Sequence, residues 1–149
     1  MASAENIVVN IEQDFVSQVV EFNKRVLKIE GRPLGLLPKN EFEITMKCLK
    51  EELEEFEEAY RLGDMVGCID AIVDLRYFAI GVLHKKGLTP AMINKCDTAV
   101  HEANMEKKLG QNAKRAIDGA ADAVKPEGWV SPEARIEAIL DEVPNDHHN

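Results

Sequence analysis

The chain has 149 residues, a hydrophobic fraction of 45% and a formal net charge of −9, which is the size of one domain with a core of its own. An acidic balance this strong excludes a surface built for nucleic acid polymers, which draws on clustered Lys and Arg. No apolar run approaches the ~20 residues of a membrane span, and MASAENIVVNIEQDF lacks a basic stretch followed by an apolar one; no membrane partner and a cytoplasmic location are expected. Cys48, Cys68 and Cys96 are odd in number and scattered, and His84, His101, His147 and His148 have no zinc-ligand spacing, so reduced thiols are expected rather than a disulfide or zinc framework.

From about Asn10 to Ile29, the residues Ile11, Phe15, Val19, Phe22, Val26 and Ile29 recur every three or four positions, one face of an amphipathic helix. GRPLGLLPKN, residues 31–40, stops it with two glycines and two prolines. Asn40 is the expected cap of a second helix running to about Arg61, with Phe42, Met46, Leu49, Leu53 and Phe56 as its buried stripe. Gly63 ends it, and Asp64 caps a third helix to about Lys86, closed by Gly87. Thr89-Pro90 opens a fourth helix to about Leu109, stopped by Gly110. Residues 111–130 have little helical periodicity, Ser131-Pro132 starts a short helix to about Leu140, and EVPNDHHN reads as a frayed end. No strand is expected. The fold class is all-α: a single domain over residues 1–149, with a four-helix core over 10–110 and an irregular tail over 111–149.

Two of these helices carry the chemistry. Glu51, Glu52 and Glu55 share one face of the second helix, and Asp70 and Asp74 share one face of the third inside an otherwise apolar run. If the two helices pack antiparallel across the Leu62-Gly63-Asp64 turn, the carboxylates converge with Arg76 as the only cation between Arg61 and His84. An ionised carboxylate without a partner is costly to bury; a hard divalent cation, Mg²⁺ or Mn²⁺, answers an all-oxygen cluster. The plainer readings are a solvated acidic face on the second helix and a salt bridge from Asp70 or Asp74 to Arg25 or Arg76.

The run KEELEEFEEA followed one helix later by DAIVDLRYF resembles the all-α MazG-like nucleoside triphosphate pyrophosphohydrolases, a superfamily that includes phosphoribosyl-ATP pyrophosphohydrolase and dimeric dUTPases. Its signature is E-E-x-x-E on one helix and E-x-x-D on the next. Here Ala71 stands where the second glutamate belongs and Asp70 sits one residue earlier, a form similar to that of the phage-encoded branch, as are VHEANMEKKLG and KPEGWVSP. The resemblance runs from about Phe15 to Pro132. It implies a metal-dependent hydrolase that splits a (deoxy)nucleoside triphosphate into the monophosphate and pyrophosphate, dGTP and GTP being the substrates of one group in that branch. It also implies metal ligands Glu52, Glu55 and Asp74, with Asp70 in place of the missing glutamate and Glu51 as a ligand or the group that activates water. Lys107 and Lys95 would neutralise phosphates, Asn104 would bind sugar or phosphate, and Phe22 and Asn23 would meet the base, although by its period Phe22 also belongs to the buried stripe of the first helix; Arg115 and Lys125 either close over the phosphates when substrate binds or simply offset local acidity. A homodimer or homotetramer is expected. The alternatives are hydrolysis of phosphoribosyl-ATP, against which Ala71 argues, and a non-catalytic acidic helical module that binds a basic protein.

Overall fold

The computed structural model describes residues 14–142. Among them are five helices, α1 (Phe15–Arg25), α2 (Lys39–Arg61), α3 (Met65–Lys85), α4 (Pro90–Met105) and α5 (Glu133–Asp141), and two short strands, β1 (Lys108–Leu109) and β2 (Ala123–Val124). None of these helices, among the described residues, is long and apolar enough to cross a membrane. The expected all-α class holds, and the chain divides into two compact units, Met1–Ile93 and Asn94–Asn149.

In the first unit, α3 packs along both α2 and α1. The start expected for α1 at Asn10 and Ile11 lies outside the described residues; its first turn here is capped by Asp14, whose carboxylate accepts from the Ser17 amide at 2.7 Å. It ends at Arg25 and not at Ile29, because Lys28 takes a left-handed φ of 59° and the Ile29 amide turns back to the Asn23 carbonyl at 2.9 Å. The loop that follows is pinned to the first turn of α2 by Arg32, whose two guanidinium nitrogens bond the Glu41 carboxylate, Nη2 to Oε1 at 2.6 Å. α2 begins at Lys39 behind Pro38, so Asn40 lies inside the helix and not at its cap. Asp64 caps α3 as expected, accepting from the Gly67 amide at 3.0 Å. Beyond α3, Gly87 has φ +94° and the chain presses on the first loop so closely that a Cβ there would stand 2.6 Å from the Pro33 carbonyl oxygen; only glycine fits.

The core of this unit comes from Val16, Val19 and Val20 of α1, Ala59 of α2, Ala71 of α3, and Leu88 and Ile93 after it. The stripe expected to be buried on α2 is largely turned outward: Phe42 is 54% and Leu53 52% exposed, and Met46 and Phe56 are open too. The buried positions are Thr45, Glu52 and Ala59, seven residues apart and therefore on one face. α3 repeats the arrangement, burying Ala71, Gly81 and His84 while Ile69, Ile72 and Val73 stay open. Thr45, Ala59, Ala71 and Gly81 keep the inner faces small beside the larger polar Glu52 and His84, and many of the bulky apolar side chains are left on the outer one.

α4 begins in the first unit, capped by Thr89, whose Oγ1 accepts from the Met92 amide at 3.3 Å; the rest of the helix belongs to the second unit and ends at Met105, short of the expected Leu109. There the Trp129 indole Nε1 donates to the Ala103 carbonyl at 2.7 Å, and the Lys107 amide turns to the Asn104 carbonyl rather than continuing the helix. The chain then enters β1, which pairs antiparallel with β2, Lys108 opposite Val124 and Leu109 opposite Ala123, a ladder where no strand was expected. α5 is tied to α4 through Arg135, which donates to Glu102 at 2.6 Å and to the Ala99 carbonyl at 3.0 Å. Most of EVPNDHHN lies outside the described residues.

Candidate active site

The five carboxylates singled out in the sequence gather around Glu52. The three-residue turn Leu62-Gly63-Asp64 sends α3 back along α2, which sets Glu51, Glu52 and Glu55 against Asp70 and Asp74. Glu52 is 9% exposed, and its Oε2 is the one buried side-chain nitrogen or oxygen without a hydrogen-bond partner among the described residues. Burial pushes its carboxyl above the ordinary carboxylate range, and the negative charges of Glu55, Asp74, Glu51 and Asp70 add to the push. Asp70 does not sit in apolar surroundings as its sequence neighbours suggest: it is exposed and Asp74 half-buried, because Ile69, Ile72 and Val73 are themselves open.

The arginine alternative does not form. Arg25 pairs with Glu21 at 2.7 Å, and the Arg76 guanidinium lies over the Phe15 ring at 3.9 Å. Among the described residues, no Lys or Arg forms an ion pair with any of the five carboxylates, and no three Asp, Glu, His or Cys side chains close around a point as a ready-made cation site. The donors are thus of the right kind and unneutralised, but splayed.

One to two helical turns along the same seam lies a cavity of about 180 Å³, lined by Phe22 and Asn23 of α1, Thr45 and Cys48 of α2, and Tyr77 and Gly81 of α3 among others. Thr45, Cys48 and Glu52 follow one another on the α2 face, as Gly81, Tyr77 and Asp74 do on α3. At 1.5 Å of rise per residue the cavity is roughly 6–10 Å from the acidic cluster. Both Phe15 and Phe22 set ring edges against Tyr77, with centroids 5.8 and 5.5 Å apart. The volume is below the ~300–1,000 Å³ of pockets that enclose whole ligands, and suits a single planar ring. Asn23 is buried; its Nδ2 donates to the Gly81 carbonyl at 3.1 Å and lies 3.0 Å from His84 Nδ1. Sequence reasoning found Phe22 and Asn23 but missed Thr45, Cys48, Tyr77 and His84. The spacing of Tyr77 three residues after Asp74 was a signal for Tyr77 alone, since it places an aromatic on the acidic face.

The basic residues expected at the phosphates lie in the second unit, each with a partner there. Lys95 pairs with Glu142 at 2.5 Å. The ammonium groups of Lys107 and Lys125 stand 5.3 and 4.7 Å from the Trp129 ring centroid. Arg115 meets Asp122 through Nε and Nη2, both at 2.8 Å. The helical face expected to join Asn104 and Lys107 does not form, because α4 stops at Met105; the Asn104 carbonyl accepts from the Lys107 amide at 3.1 Å in the turn that ends it.

An all-α unit with opposed acidic helices, E-E-x-x-E on one and an Asp pair on the next, fits the MazG-like superfamily of pyrophosphohydrolases. Residues 19–104, more than half of the chain, match the phosphoribosyl-ATP pyrophosphohydrolase family, and the chain belongs to that family. No curated protein matches it.

Proposed function

We propose that the protein is a metal-dependent pyrophosphohydrolase that cleaves between the α- and β-phosphorus atoms of a (deoxy)nucleoside triphosphate, giving the monophosphate and pyrophosphate. The observation that carries this reading is the orphaned Glu52 Oε2 amid four further carboxylates, with a ring-sized aromatic cavity one to two turns away on the same seam. Carboxylates without basic partners suit Mg²⁺ or Mn²⁺, and the buried unpaired oxygen is a lone pair that a cation would satisfy. Glu52, Glu55 and Asp74 would hold the ions, with Asp70 in place of the glutamate that Ala71 replaces. When bound, such ions offset phosphate charge and make water more acidic. Glu51, exposed at the rim, orients the attacking water and accepts its proton, or joins the ligands. Phe22 and Tyr77 enclose the base. Lys95, Asn104, Lys107, Arg115 and Lys125 serve the phosphates and sugar, the charged ones after exchanging their present partners for substrate.

The outward apolar stripe of α2 and α3, where Val66 is 77% and Leu53 52% exposed, is apolar surface left open to water; it supports a homodimer or homotetramer in which a second copy covers it. Sedimentation tests this, with Leu53→Glu expected to shift the protein to a smaller species.

The family match supports a second substrate, phosphoribosyl-ATP, whose triphosphate offers the same bond. Ala71 favours the first. A panel of nucleoside triphosphates, dGTP and GTP included, and phosphoribosyl-ATP, assayed for pyrophosphate with Mg²⁺ or Mn²⁺, separates them. Glu55→Gln and Asp74→Asn, folded but inactive, are the expected result. Turnover unchanged in both would remove the ligand assignment, and no turnover of any substrate would leave an acidic protein-binding module.

A further inference from the structure

The buried contact between Asn23 and His84 has one consistent hydrogen-bonding pattern. A carbonyl oxygen only accepts, so the Asn23 atom 3.1 Å from the Gly81 carbonyl is the amide nitrogen. The same nitrogen lies 3.0 Å from His84 Nδ1. An amide nitrogen donates and does not accept, so Nδ1 is the acceptor and carries no proton. The two amide hydrogens are thereby used, and Asn23 cannot turn over without setting its oxygen against the Gly81 carbonyl. Its Oδ1 accepts no bond from the described residues; since the one sealed side-chain oxygen without a partner is Glu52 Oε2, Asn23 Oδ1 opens to the cavity that the residue lines. The rest of that lining is mostly apolar. Accordingly, the cavity offers a fixed acceptor beside aromatic rings.

We propose that His84 is a positioning residue for specificity: its bare Nδ1 locks the Asn23 amide so that Oδ1 faces the cavity as an acceptor, selecting bases whose edge presents an N–H donor. This rests on the reading that the cavity takes the base. A pocket built to satisfy a donor rejects an analogue that lacks it, because the buried acceptor is then left unpaired. Burial holds the His84 imidazole below its ordinary pKa, Lys24 of α1 and Arg32 of the loop push the same way, and Glu30 opposes them. Protonation of Nδ1 would break the lock.

The test uses the full-length protein and triphosphates that differ by one donor: GTP against ITP, ATP against purine riboside triphosphate, and UTP against its N3-methyl form. The wild type should prefer the donor-bearing member of at least one pair by about tenfold in kcat/KM, mostly through KM, as for one hydrogen bond. His84→Leu should bring that ratio close to one, and His84→Gln, whose amide oxygen can accept from Asn23, should restore most of it. Acidification should raise KM for the donor-bearing substrate in the wild type but not in His84→Leu. Nitrogen-15 NMR should find His84 neutral with Nδ1 unprotonated. A proton on Nδ1 at neutral pH, or a ratio that survives in His84→Leu, would overturn the lock while leaving the base site standing. If Phe22→Ala leaves every KM unchanged, the cavity is not the base site and both readings fall.

Discussion

Replacing Glu52 by glutamine should make the metal-free protein more stable and abolish its activity. Glu52 Oε2 is buried with no partner and four carboxylates act on it. An unsatisfied buried polar group costs about 1–3 kcal/mol, but Glu52 lies at the edge of the seam rather than deep inside, and glutamine keeps a polar amide in the same place. The relief is therefore at the low end, about 1 kcal/mol, which for a chain of this size raises Tm by roughly 2–4 °C. The sign depends on pH. Because the folded-state pKa is raised above the ordinary value of 4.5, the carboxyl adds stability below pH 4.5 that is lost as pH rises through the raised value. The variant should thus gain over the wild type at pH 7 and not at pH 4. Calorimetry in chelator at both pH values reads this directly. A lower Tm for Glu52→Gln at pH 7 would mean that the carboxylate is satisfied in the fold, and would refute the reasoning.

His84 has the opposite linkage: its folded pKa is lowered from 6.5, so its contribution is whole above pH 6.5 and fades as pH falls from there to the lowered value; Tm measured between pH 7 and 5 should drop more steeply for the wild type than for His84→Leu. Gly87→Ala places a Cβ 2.6 Å from the Pro33 carbonyl oxygen at φ +94° and should cost about 3 kcal/mol or more by urea unfolding, from a strained backbone and a contact that cannot yield. Trp129→Phe removes the indole bond to the Ala103 carbonyl and should cost about 1 kcal/mol, with faster amide exchange in the last turn of α4 as its local signature.

The sequence carried helix boundaries at Asp64, Gly87 and Thr89-Pro90, where a cap or a breaker stands beside an apolar period, but not the start of α2, where Asn40 lies inside the helix. It failed where a distant side chain decided. Trp129 binds the last turn of α4 from 26 residues away, and the β1–β2 ladder forms where Lys108 and Val124 meet, a contact no local pattern announces. The buried stripe of α2 was misread for a related reason. Apolar residues at period 3.6 mark a face that avoids water, but not whether it meets the same chain, and here the inner face holds Thr45, Glu52 and Ala59. The acidic cluster was legible because charge spacing on two helices joined by a tight turn leaves few ways to pack. The roles of Thr45, Cys48 and His84 depend on which side of each helix faces inward, which followed only once the stripe was placed correctly.

Binding of Mn²⁺, followed by electron paramagnetic resonance on the protein without nucleotide, tests the carboxylate cluster most directly. The wild type should bind the ion with loss of the free-ion signal, Glu52→Gln and Asp74→Asn should bind it at least tenfold more weakly, and an acidic residue elsewhere on α2, Glu57→Gln, should leave binding as it was. Equal affinity in all four proteins would contradict the assignment of Glu52 and its neighbours as the metal-binding centre.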